Sequence, residues 1–303
     1  MKRFLIDICL GLIVFCITWI LAEYTMAHVD IQNDYSYKYN YVKGNSAIKT
    51  LLIGHSHFEN SINPYLMGDG VFDFAISGRR WIYWDVKLAE QLYSTMPSLK
   101  TVIFSLGYAM PYESPHYEEQ WSEGRKEYMY MYTKYMNTPY DVFPQNIIYS
   151  SALLSNKMGI KYWLDEPVDS LGYSKIEGHC QGVEFEDWVK ETHIQWTNDT
   201  TLLCYKEFQQ YFIRLAEICY NNNIRLVAVT CPCADCYVSS TCEQGIKNLY
   251  DLVDSVSVYY PIEYFNYLND QEFRADSLYY NCSHLNTIGA DKFAIRLKED
   301  LGL

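Results

Sequence analysis

KTLLIGHSHFENSINP, running from Lys49 to Pro64, decides the fold. Lys49–Ile53 is a short apolar run ending in Gly54, the mark of a strand buried on both faces in a parallel sheet. Ser56 follows directly. On a tight strand-to-helix turn, a serine projects its Oγ at the carboxyl edge of the sheet, with its backbone N–H near a helix start. That placement suits a nucleophile and one oxyanion donor. It equally suits a serine that only caps the helix.

Working outward, strand and helix alternate. FDFAI (Phe72–Ile76) reads as a second strand, and Arg80–Met96 carries helix-spaced apolar residues. TVIFSL (Thr101–Leu106) is a third strand, ending in Gly107. Leu202–Tyr220 reads as an amphipathic helix, IRLVAVT (Ile224–Thr230) as a fourth strand and Gln244–Val253 as a helix. VSVYY (Val256–Tyr260) is the expected fifth strand, and Thr287–Leu301 the last helix, with Asn286 as its N-cap. Such alternation predicts an α/β domain over 49–303, a parallel sheet covered on both faces. Residues 110–200 break the rhythm. They are Tyr-rich and predict a mostly helical insertion over the carboxyl ends of the strands, where clefts form in such sheets. The stretch from Tyr128 to Tyr140 fits core filling first, with sugar stacking and a membrane contact as the alternatives.

Composition narrows the function. The 303 residues hold 24 Lys+Arg against 37 Asp+Glu, a net charge of −13, which argues against a nucleic-acid partner. Phe4–Leu21 is apolar except for Asp7 and spans about 27 Å as a helix, close to a bilayer's hydrocarbon thickness. Residues 1–24 therefore read as an uncleaved transmembrane signal anchor rather than a cleaved signal peptide. Lys2 and Arg3 would stay cytoplasmic, and the globular bulk would face the periplasm or cell exterior. Residues 25–48 read as a polar juxtamembrane spacer.

His284, in NCSHLNTIGA (Asn281–Ala290), is the candidate base, since a loop histidine before the last helix can reach a serine on a neighbouring loop. The pairing of GHSHFENSINP (Gly54–Pro64) with NCSHLNTIGA resembles the SGNH/GDSL hydrolase superfamily. The closest likeness is to its membrane-anchored branch of alginate and teichoic-acid O-acylation proteins. The resemblance implies a three-layer α/β/α sandwich with a flavodoxin-like five-stranded sheet. It implies Ser56 as nucleophile, His284 as base, and oxyanion donors from Ser56 N–H and a backbone N–H around Ser77-Gly78. His57 would contact substrate or support the turn. The expected partners are an acylated or acyl-accepting glycan and a polytopic membrane acyltransferase, with no cofactor and no metal. Two positions depart from the pattern. Asn281 stands where an acid is usual, and Gly107-Tyr108-Ala109-Met110 lacks the usual oxyanion Asn. An amide orients an imidazole without charge, so the alternatives are a Ser–His dyad with a polar orienter, Asp276 reaching in, or an inert module. His55 is expected to be an exposed turn residue, and Arg79-Arg80 solvated charge.

Ten cysteines are too few for a disulfide scaffold. Among them, a disulfide within Cys231–Cys242 is the first expectation, ahead of free thiols and of a metal site. Cys204 and Cys219 read as core thiols.

Overall fold

Five strands form one all-parallel sheet in the order β2-β1-β3-β4-β5. They are β1 (Thr50–Ile53), β2 (Val71–Asp73), β3 (Thr101–Ser105), β4 (Arg225–Thr230) and β5 (Glu263–Asn266). The computed structural model describes residues 2–28, 34–77, 81–114, 168–179, 194 and 198–303. Its helices are α1 (Lys2–His28), α2 (Asp34–Val42), α3 (Ser56–Glu59), α4 (Pro64–Met67), α5 (Ile82–Leu92), α6 (Asp199–Asn221), α7 (Asp235–Val238), α8 (Glu243–Ser257) and α9 (Thr287–Leu301).

Strand alternation sorts the core into two layers. Leu52, Ile103 and Val227 lie in register across β1, β3 and β4 and pack with Phe58, Phe293 and Leu297, under α4 and α9. The neighbouring positions face the other way. There Phe104 meets Phe208 and Phe212 of α6, and Tyr83 of α5 meets Tyr211. Each fully buried side chain of this kind contributes about 2 kcal/mol. The α/β/α sandwich expected from the alternation is the one observed.

The order of strands places the site. The chain runs from β1 outward to β2, then returns across β1 to β3. The reversal opens a crevice past the carboxyl ends of β1 and β3. Ser56 follows β1 and Gly107 follows β3, so both stand at that crevice. Gly54 makes the turn possible. Its φ is +122°, and a Cβ there would lie 2.6 Å from Ser105 Cβ, so any side chain would drive β1 from β3.

Three expectations are corrected. VSVYY is not a strand. Val256 continues the Leu249, Leu252, Val253 stripe of α8, whereas Val258 is 78% exposed. The fifth strand is Glu263–Asn266, a partly exposed edge strand with no apolar run to announce it. Second, Asp34–Val42, within the expected spacer, is a packed helix. α1 continues to His28, and α2 buries Lys38, Tyr39 and Val42, with the Tyr41 ring stacked on Phe72 at 4.3 Å. A helical stripe that contains a lysine reads as polar, which hid it. Third, His55 is 8% exposed and bridges Ile76 at the sheet's end. The crevice closes over it.

The chain divides into two units, residues 1–36 with 120–167 and residues 37–119 with 168–303. In the first, Arg3–Ala22 of α1 is long and apolar enough to cross a membrane, with a mean hydropathy of 2.6. Most of the insertion expected over 110–200, including Tyr128–Tyr140, lies outside the described residues. So do Gly78, Arg79, Arg80 and Cys180. The described return, 168–179, carries no helix.

Candidate active site

Ser56 opens α3, immediately after the extended residue His55. Its Oγ lies 2.8 Å from His284 Nε2 across 228 residues of sequence. The other ring nitrogen of His284, Nδ1, is 3.0 Å from Asn281 Oδ1. That same Oδ1 accepts the backbone N–H groups of Ser283 (3.0 Å) and His284 (2.9 Å). Backbone N–H groups only donate, so the atom between them is the amide oxygen. Nδ1 therefore carries the proton, and Nε2 presents its lone pair to the Ser56 hydroxyl. Asn281, 3% exposed, thus fixes the tautomer a general base needs, without supplying charge. Asp276 does not do this. It is exposed, in a single turn of 3-10 helix.

The His284 loop is built by its neighbours. Asn286 caps α9 through the N–H groups of Ile288 and Gly289, and its amide nitrogen donates to Ser277 O. The return segment closes on the same cap, with Thr287 N–H donating to Ile176 O. Cys282, between Asn281 and Ser283, is disulfide-bonded to Cys236 of α7. The expected disulfide within Cys231–Cys242 is therefore not the pair found. One partner is Cys236, the other lies 46 residues away in the histidine loop. Cys231 and Cys233 are buried, as are Cys204 and Cys219, whose core placement was foreseen. Among the described residues, no group of acidic, histidine and cysteine side chains is placed to hold a metal.

His57 stands with its ring edge-on to His284, centroids 5.1 Å apart, and His55 lies 4.5 Å behind it. His57 thus packs between the His55 and His284 rings, a placement that fits support of the turn. Gly107 serves as space. A Cβ there would come within 2.8 Å of His55 Nε2, so glycine lets the first imidazole of this row sit beneath the crevice. Ser77 is at the end of the segment after β2, and both its N–H (2.7 Å) and its hydroxyl bond to Glu59 Oε2. Its N–H therefore serves Glu59 rather than a ligand. Glu59 Oε1 meets Lys38 Nζ at 2.9 Å, and Lys38 Nζ also donates to Ala75 O. Neither Glu59 nor Lys38 was singled out from sequence. The signal available was Glu59 three residues past Ser56, on the same short helix.

Asp73 lies beside this network, fully buried, with Oδ1 accepting the Ala75 N–H. Burial pushes its carboxyl up to about 8, with Glu59 adding to the rise and Lys38 opposing it. The folded protein then holds a proton that the unfolded chain releases. Stability from this group is full below the ordinary carboxylate value and falls as pH rises toward about 8. Asp73→Asn should remove that slope. Thermal unfolding should show the variant gaining several degrees on the native chain between about pH 5 and about pH 8. A native chain equally stable at both values would contradict the assignment.

An open depression of about 680 Å³ lies among α7, α8 and the end of β5, lined in part by Cys242, Lys247 and Tyr250. Neither Ser56 nor His284 lines it. The Ser56 hydroxyl, the His284 imidazole and the Asn281 amide converge at the crevice instead.

No protein-family model matches this chain, and no curated protein matches it.

Proposed function

We propose that this chain is a serine acyl-ester enzyme of the SGNH type, moving an acyl group onto or off a cell-surface glycan. The observation that carries the reading is the Ser56–His284–Asn281 chain of hydrogen bonds at the carboxyl edge of a parallel sheet. In the first step Ser56 Oγ bonds to the acyl carbon while its proton passes to His284 Nε2. The donor C–O bond breaks, and the proton moves from Nε2 to the departing oxygen, leaving acyl-Ser56. Water or a sugar hydroxyl then bonds to the acyl carbon as His284 takes its proton, the acyl–Oγ bond of Ser56 breaks, and His284 returns the proton to Ser56 Oγ. The oxyanion is met by Ser56 N–H and by a backbone N–H of the segment after β2, where Ser77 N–H is itself bonded to Glu59. The apolar Arg3–Ala22 segment supports a single-pass anchor, with Lys2 and Arg3 on the cytoplasmic side and the catalytic unit outside.

Two observations favour a second reading, an inert module that binds glycan or partners a membrane acyltransferase. They are Asn281 in place of an acid and Ala109 in place of an oxyanion Asn. The two readings separate in one experiment. Full-length protein in detergent is mixed with p-nitrophenyl acetate, with and without a polysaccharide acceptor. The enzyme reading expects a burst of nitrophenol and an acetyl group on Ser56, discharged to acceptor or water. Folded protein without a burst supports the inert module.

Asn281→Asp should raise the acylation rate. The carboxylate keeps the three hydrogen bonds of Oδ1 and adds charge opposite the imidazolium. A charge-assisted bond exceeds a neutral one by about 1 kcal/mol, so the expected gain is about fivefold. Stopped-flow nitrophenol release checks this, and an unchanged rate would show that charge at this position is irrelevant.

A further inference from the structure

The buried pair Lys38–Glu59 has no part in the proton transfers, yet it joins three segments around the crevice. Lys38 is on α2, Glu59 on the nucleophile's helix α3, and Ser77 on the segment leaving β2. Lys38 is 0% exposed and Glu59 3%. Desolvating two charges is costly, and such a pair is seldom kept for stability alone. Here every bond made by Glu59 goes to a structural neighbour of the site. Oε1 takes Lys38, Oε2 takes both donors of Ser77, and its backbone oxygen takes Ser174 N–H from the return segment. Lys38 in turn holds Ala75 O, two residues before Ser77.

We propose that Glu59, held by Lys38, is a positioning residue that fixes the segment after β2 against the Ser56 nucleophile. This rests on the acyl-transfer reading. That segment carries the second oxyanion donor in the acyl-transfer reading, and its described part, through Ser77, is what Glu59 holds. Because Glu59 lies on the same short helix as Ser56, it couples the position of Ser56 to that of Ala75–Ser77. A misplacement of about 1 Å at such a site costs about a hundredfold in rate.

The test compares two charge-neutral double variants, Lys38→Met/Glu59→Gln and Lys38→Met/Glu59→Leu, in the full-length chain. Both remove the buried charges together, which spares the fold the cost of an unpaired ion. They differ in the acceptor offered to Ser77. The rate of Ser56 labelling by a fluorophosphonate probe and the KM and kcat for p-nitrophenyl acetate are measured. The glutamine pair is expected to recover labelling to within about fivefold of wild type, and the leucine pair to label about a hundredfold more slowly through kcat, with KM unchanged. Ser77→Ala, which deletes one of the two bonds and leaves the ion pair intact, should fall between them. It also keeps the proposal testable if the leucine pair fails to fold. Equal labelling by the two double variants, or by Ser77→Ala and wild type, overturns the positioning role while leaving the acyl-transfer reading in place. Folded wild-type protein that does not label removes that reading, and this inference with it.

Discussion

Replacing His284 by alanine should slow acylation of Ser56 about a thousandfold. The reason is geometric. His284 Nε2 is 2.8 Å from the Ser56 hydroxyl, and Nδ1 is bonded to Asn281 Oδ1. The loop itself should survive, because its backbone bonds do not use the imidazole. Tyr280 N–H still donates to the carbonyl of residue 284, and the N–H of 284 still donates to Asn281. The loss is therefore chemical and should be accompanied by an unchanged unfolding temperature. Free imidazole, which fits the space left by the ring, should restore part of the rate. Stopped-flow acylation with and without imidazole checks both points. A His284→Ala variant as fast as wild type would mean that Ser56 does not use this base.

Removal of the Cys236–Cys282 disulfide should cost the most stability. The bridge closes a loop of 46 residues, and the chain-entropy account gives about 4 kcal/mol for a loop of that size. For a domain of this length, that corresponds to a fall of about 10 °C in the unfolding temperature of the Cys236→Ser/Cys282→Ser variant. Activity should fall by less than in His284→Ala. Asn281 still gathers the N–H groups of Ser283 and His284, and Ala234 N–H still bonds to the carbonyl of residue 282 at 3.0 Å. Differential scanning calorimetry of both proteins, with thiols counted under denaturing conditions, settles the prediction. Equal unfolding temperatures would show that the bridge does not constrain the unfolded chain.

The parts of the fold that sequence made legible are those where one local pattern had one physical cause. Buried strands β1, β3 and β4 appear as apolar runs because both faces are covered. The last helix appears through Asn286, whose side chain does cap it. β5 was illegible because an edge strand needs no apolar run, while VSVYY mimicked alternation with a residue that is in fact exposed. The same division holds at the site. Ser56, His284 and Asn281 stand in two short motifs whose spacing carries their chemistry. Their supporting groups do not. Lys38 is distinguished from a surface lysine only by what packs around it, and its partner is 21 residues away. Cys236 and Cys282 are paired by the approach of α7 to the histidine loop, which spacing cannot report.

The most direct measurement is peptide mapping after a fluorophosphonate probe is added to the full-length protein in detergent. The account predicts one dominant adduct, on Ser56, that is absent from Ser56→Ala and strongly diminished in His284→Ala. Folded protein that carries no adduct on Ser56, or carries its adduct elsewhere, would contradict the claim that this serine and histidine form a working nucleophile and base.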